Sequence, residues 1–166
     1  ISDCYNARGP PLEAIHSSSL GNLTNFDLDP YWTGQGATSL WSDPDNWDTG
    51  TSPTAFDIIT FDGTSHSVSG ANPNKDSMVD ALFQGAVESF TINGYTGTIT
   101  LGRDLTINGN IALSTGTLIA GSNTITVGGN WSNNGTNFVA GTSKVVFNDA
   151  TKPSNIIGNN TFYDLA

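Results

Sequence analysis

Basic residues are scarce. Lys and Arg together number 5 against 15 Asp and Glu, a formal net charge of −10, and the 5 are spread singly along the chain. Nucleic acid and anionic membrane surfaces both demand a basic patch, so neither is an expected partner. Cysteine is scarcer still: Cys4 stands alone, which excludes an internal disulfide framework and leaves a reduced thiol or a bridge between subunits. Ile1-Ser2-Asp3 lacks the small residue that precedes a lipid-bearing cysteine, so lipidation is not expected. The two histidines, His16 and His66, are far apart, and no Cys/His spacing for zinc occurs. No metal and no cofactor is expected. Runs of about 18 apolar residues are missing, so no segment is expected to insert in a membrane as a helix. No charged-then-apolar leader opens the chain, which reads as already processed. Long helix-period segments are missing too.

What is present is β chemistry. Hydrophobic residues make up 36% of the chain and charged ones only 12%, with 19 Gly and abundant Thr, Ser and Asn; this describes low-charge polar faces over β structure. The 166 residues are enough for one domain with a real core, or one domain and a tail.

The region from Phe90 to Phe147 repeats. Leu105-Thr106-Ile107-Asn108-Gly109-Asn110 and Ile125-Thr126-Val127-Gly128-Gly129-Asn130 share one pattern at an offset of 20 (125 − 105). Leu118-Ile119-Ala120-Gly121-Ser122 and Phe138-Val139-Ala140-Gly141-Thr142 agree at the same offset, and Val145-Val146-Phe147 opens a third unit. Upstream, Phe90-Thr91-Ile92-Asn93-Gly94 matches Leu105 to Gly109 at 15, which reads as the same unit shortened by one turn, and Thr96-Gly97-Thr98 matches Thr115-Gly116-Thr117 at 19. Such periods, built of short β runs and Gly/Asn turns, signal a solenoid. Alternation along each run predicts Leu105, Ile107, Ile125, Val127, Val145 and Phe147 in one buried column, with Thr106 and Thr126 facing out. Gly109, Gly121, Gly129 and Gly141 are expected at corners, using positive φ. Trp131 falls one period after Ile111 and reads as a corner or core filler, ahead of a sugar-stacking residue. The competing fold is an antiparallel β-sandwich, which does not usually keep one fixed period.

Residues 1–30 carry no sustained alternation and read as an extended N-terminal arm, with a short helix conceivable over Leu12 to Ile15. From Tyr31 the chain becomes aromatic and turn-rich. Trp32-Thr33-Gly34, then Trp41-Ser42-Asp43-Pro44-Asp45-Asn46-Trp47, Pro53, and Asp57-Ile58-Ile59-Thr60-Phe61 follow in order. A solenoid must cover its open ends, and three tryptophans are large enough to plug one. Residues 31–61 are therefore expected to form an N-terminal cap, 62–86 an irregular excursion and 87–166 the regular coils, so that 31–166 is one solenoid domain. The W-x-G, W-S-D-P-x-N-W and D-x-I-x-F order, followed by T-G-T-I-T-L and L-T-I-N-G-N, resembles the start of large repetitive bacterial surface and autotransporter-like passenger proteins. That resemblance implies a right-handed parallel β-helix on a cell surface, mostly without catalytic residues. The fold expected is thus all-β: a right-handed parallel β-helix with coils of about 20 residues, an aromatic cap and an extended arm.

A β-helix lyase or hydrolase needs carboxylates, or carboxylates with Arg or Lys, converging from adjacent coils. Between Phe90 and Phe147 the only carboxylate or basic side chains are Arg103, Asp104 and Lys144, so no catalytic residue is assigned. Asp43, Asp45 and Asp48 have the odd spacing of a calcium loop but no closing Glu and no Gly at the bend; turn chemistry is the better reading. Asn22, Asn130, Asn134 and Asn159 head Asn-x-Ser/Thr sequons and are candidate glycosylation sites. Leu165 falls one period after Val145, where a new coil would open, and the sequence stops one residue later. An uncovered coil edge is a template for pairing, which directs attention to Phe162, Leu165 and Cys4 as assembly residues. The functional expectation is a non-catalytic extracellular or cell-surface structural protein, a homo-oligomer joined head to tail through its open end and its arm. The alternative is a carbohydrate-binding or adhesin module that recognises glycans.

Overall fold

The computed structural model describes residues 29–166 and, ahead of them, a parallel pair of two-residue strands, β1 (Leu12–Glu13) and β2 (Phe26–Asp27). Leu12 and Glu13 are extended, so the helix expected from Leu12 does not begin there; residues 1–11, 14–25 and 28 of the arm lie outside the described residues. Beyond the arm the chain winds in triangular coils, each giving one strand to each of three faces. The first coil holds β3 (Ile58–Phe61), β4 (Ser77–Val79) and β5 (Ala86–Val87); the second holds β6 (Ser89–Ile92), β7 (Thr98–Leu101) and β8 (Leu105–Ile107). The third holds β9 (Ile111–Leu113), β10 (Thr117–Ile119) and β11 (Thr124–Val127), and the fourth β12 (Trp131–Asn133), β13 (Asn137–Val139) and β14 (Lys144–Phe147). A partial fifth adds β15 (Ile156–Gly158) and β16 (Asp164–Leu165). Face one is β3-β6-β9-β12-β15, face two β4-β7-β10-β13 and face three β5-β8-β11-β14-β16, parallel throughout. The chain is a parallel β-solenoid of about four turns.

The expected period is the observed register. Ile125 pairs with Leu105 and with Val145, and Val145 pairs with Leu165. Strands read half-buried then buried by turns, as in Thr124-Ile125-Thr126-Val127, because apolar residues at i and i+2 enter the triangle while Thr faces out. Leu105, Ile107, Ile125, Val127 and Val145 are buried; Phe147 is only half-buried, since the partial fifth coil covers it with little more than β16. Trp131 pairs with Ile111 and is fully buried, a core filler as expected.

Three expectations need correction. Phe90 pairs with Ile111 on face one, not with Leu105 on face three, so the match at 15 compared two different faces of one coil. Within the expected irregular excursion, Ser77–Val79 is a regular strand of face two, paired with β7. Gly121 and Gly141 do adopt positive φ, 64° and 61°. Gly109 and Gly129 do not; they are required by close approach instead. A Cβ on Gly129 would lie 2.8 Å from the Gly109 carbonyl carbon, because neighbouring coils touch backbone to backbone at this corner.

The cap is a folded-back extra turn. Tyr31 bridges Thr60 and Leu40 bridges Met78, both parallel, which continues faces one and two by single residues. Trp32 then bridges Trp47 antiparallel. Thr33 N donates to the Asn46 carbonyl at 2.8 Å and Asp48 N to the Tyr31 carbonyl at 3.1 Å, so 46–48 lies along the outer side of 31–33. Asp43 caps a single 3-10 turn, Pro44–Asn46, that makes this reversal. Trp32, Trp41 and Trp47 are buried with Phe61, Phe83 and Phe90 in one aromatic cluster. Trp41 meets Phe83 and Phe90 edge-on at 5.3 and 5.6 Å between centroids.

Candidate functional site

The ionisable groups of the coils hold structure. Asp104 Oδ1 accepts from Thr124 N at 2.7 Å, one coil on. Arg103 donates to the Ala81 and Phe83 carbonyl oxygens, bracing the corner between β4 and β5. Lys144 faces Asp164 across the next rung at 3.6 Å with both side chains about half exposed, a surface pair of small energetic weight.

A corner ladder that the repeat contained, and that sequence reasoning gave no role, runs between faces three and one. Ser89 Oγ accepts from Asn110 N at 3.2 Å, Asn110 Oδ1 from Asn130 N at 2.8 Å, and Asn130 Oδ1 from Asn155 N at 2.9 Å. Each side chain satisfies the corner amide of the following coil, which the strands cannot reach. The signal was the recurrence of Asn after Gly at the repeat distance.

Around the cap, carboxylates staple loops. Lys75 Nζ donates to the Gly36 carbonyl at 2.7 Å and to that of Thr38. Asp43 takes the Thr38 hydroxyl at 2.5 Å, and that bond, with others from Asp45 N and Thr38 N, holds its carboxyl below the ordinary range. Asp80 is buried, which raises its pKa, but the Ser42 amide and hydroxyl and the Leu82 amide outweigh burial and lower it. Asp62, Thr64 and His66 form a closed triangle: His66 Nε2 lies 2.9 Å from Asp62 Oδ2 and 2.8 Å from Thr64 Oγ1, and its ring covers Tyr31 at 3.9 Å. Asp43, Asp45 and Asp48 serve the 3-10 turn and the fold-back, and no cluster of three or more His, Cys, Asp or Glu fit for a metal occurs among the described residues.

The far end differs. β13, β15 and β16 are the outer strands of their faces among the described residues. Val139, Ile156, Ile157, Tyr163 and Leu165 are exposed there. Phe162 is half-buried, edge-on to Trp131 at 5.2 Å, and Leu165 pairs with Val145. Beside this edge a polar cleft of about 370 Å³ is lined by Asn133, Asn134, Gly135, Thr136, Gly158 and Asn159. The structure thus brings Asn134 and Asn159 together at the cleft and Phe162 and Leu165 together at the edge. Asn130, Asn134 and Asn159 are exposed, Asn130 as a member of the corner ladder. Cys4 and Asn22 lie outside the described residues.

These features define a β-helix repeat protein with an aromatic cluster at its cap and, among the described residues, exposed apolar side chains on the outer strands of the other end. No protein-family model, no curated protein and no solved structure matches the chain.

Proposed function

We propose that this protein is a non-catalytic structural solenoid displayed outside the cell, joined to further copies of itself head to tail. The observation that carries the reading is the difference between its two ends. At the cap the antiparallel Trp32–Trp47 pair occupies the outer side of the first strand. At the other end three edge strands carry exposed apolar residues in the register of the repeat. An exposed, register-matched edge accepts an added strand. With the cap's own ladder engaged, the donor is the N-terminal arm, residues 1–30, of a neighbouring copy. Donor and acceptor are different surfaces, so the contact propagates into a filament unless its rotation closes a ring. The likeness of the Trp32 to Phe61 block to repetitive bacterial surface and autotransporter-like passengers supports the extracellular setting. Faces of Thr, Ser and Asn whose few charges are engaged in backbone and rung contacts favour a scaffold over a catalyst.

Electron microscopy and light scattering of the full chain test this beside two variants, one lacking residues 1–30 and one carrying Ile157→Lys. The full chain should form filaments or rings, and both variants should stay folded and fail to assemble. A full chain that is monomeric at high concentration, or a shortened chain that still forms filaments, overturns the proposal. A second reading, glycan recognition, draws on the Asn/Thr-lined cleft; a glycan array in which Thr136→Val abolishes binding would favour it.

A further inference from the structure

We infer that Asn134 is the site of spontaneous deamidation in the folded protein, so that the exposed edge of the solenoid acquires a new carboxylate with time. Three Asn-Gly pairs occur: Asn93-Gly94, Asn108-Gly109 and Asn134-Gly135. In such a pair the glycine amide nitrogen attacks the asparagine Cγ, with no side chain on glycine to obstruct it. The bond from Cγ to Nδ2 breaks and ammonia leaves, carrying the amide proton. Water then opens the cyclic imide at either carbonyl, giving Asp or isoAsp. Asparagine and water are consumed and one ammonia is released, so no other reactant is needed.

All three pairs share the same intrinsic chemistry, and the fold separates them. Gly94 N donates to Thr115 Oγ1 of the next coil at 2.9 Å. Gly109 N donates to the Glu88 carbonyl of the preceding turn at 2.6 Å, while Asn108 Nδ2 is tied to the Ala55 carbonyl at 3.0 Å. In both, the nucleophile must first leave a partner distant in sequence. Gly135 N has only a long contact, 3.3 Å, to Asn133 Oδ1 two residues back. Asn134 is exposed at the open cleft; its backbone N donates to the Leu113 carbonyl at 2.7 Å, but its side-chain amide, the group that must move, donates to Ser132 Oγ alone, at 3.1 Å. It also sits in the corner between β12 and β13, outside any strand. The isoAsp product inserts an extra backbone carbon at the corner between β12 and β13, and both products deepen the negative charge. Asn134 Nδ2 is also the atom a glycan would occupy in the Asn134-Gly135-Thr136 sequon, so a glycan there would block ring closure.

The test uses the intact protein from a host without N-glycosylation, incubated at mildly alkaline pH and mapped by peptide mass spectrometry. Asn134 should lead Asn93 and Asn108 by about tenfold or more, the factor that breaking one well-formed hydrogen bond carries. In denaturant the three rates should converge. Thr115→Ala, checked by circular dichroism to be folded, should speed Asn93 by removing the acceptor of Gly94 N. If that variant does not fold, the ranking in the native protein decides alone. Equal rates in the folded protein, or a lead by Asn93 or Asn108, overturns the inference.

Discussion

Asn110 shows how one residue holds two coils. Its side-chain oxygen takes the Asn130 amide, and Asn130 takes that of Asn155. Asn110→Ala leaves the Asn130 amide without its acceptor and should lower stability by about 1–2 kcal/mol, read as a fall in urea midpoint. An unchanged midpoint would show that water serves that amide equally well. Tyr95 behaves differently because it is fully buried, its hydroxyl donating to the Lys75 carbonyl at 2.8 Å. Burial pushes its pKa well above the ordinary 10.0; Asp76 adds to the rise, and a hydrogen bond with Ser77 opposes it. The unfolded phenol ionises near pH 10.0 while the folded one keeps its proton. Its contribution is therefore whole below that pH and is lost as pH climbs above it. Denaturant titrations across the alkaline range should show a shallower decline for Tyr95→Phe than for the native chain; parallel declines would contradict the assignment. Inward and outward residues were legible from alternation alone, as Ile125, Thr126 and Val127 show. Ladder roles such as that of Asn110 were not, because the partner is a backbone amide one coil away and leaves no mark in the local pattern.

Among the elements, the repeat distance was readable but the identity of each face was not. β6 on face one and β8 on face three both alternate apolar-in and polar-out, so Phe90-Thr91-Ile92 looks like Leu105-Thr106-Ile107. Only the backbone pairing separates them. Ser77–Val79 carries no clear strand signal because its inward pair is Ser77 and Val79, with apolar Met78 facing out, the reverse of the usual pattern. Corners are more demanding than strands. Gly141 has φ of 61°, and a Cβ there would lie 2.5 Å from the Gly121 carbonyl oxygen. Gly141→Ala combines a disfavoured backbone with a backbone clash and should destabilise by more than about 1 kcal/mol. Thermal unfolding checks this; a substitution without effect would mean that the corner relaxes freely.

At the scale of the molecule, the cap is the place where the core is most aromatic. Trp41 touches Trp47, Phe61, Phe83 and Phe90, and its indole N–H donates to Ser77 Oγ at 3.2 Å. Trp41→Ala should cost about 3–5 kcal/mol, and it removes a side chain that ties the fold-back to β4 through Ser77 and to Phe83 beyond it. The expected result is loss of cooperative unfolding in the cap and first coil, followed by hydrogen exchange, with the coils from β9 onward protected longer. Uniform loss of protection along the chain would show instead that the solenoid melts as one unit. The cap itself was legible from the size and clustering of its tryptophans. Its reversal of direction was not, because a single antiparallel bridge between Trp32 and Trp47 has no sequence period.

The even winding of the coils has a mechanical meaning. A load applied along the chain from the β16 side meets ladders that can be peeled one rung at a time, while the interlocked rings of the first coil anchor the opposite side. Each coil of about 20 residues released in this way pays out roughly 70 Å of extended chain. The molecule would then lengthen under tension in near-equal steps, as a spring that yields in units.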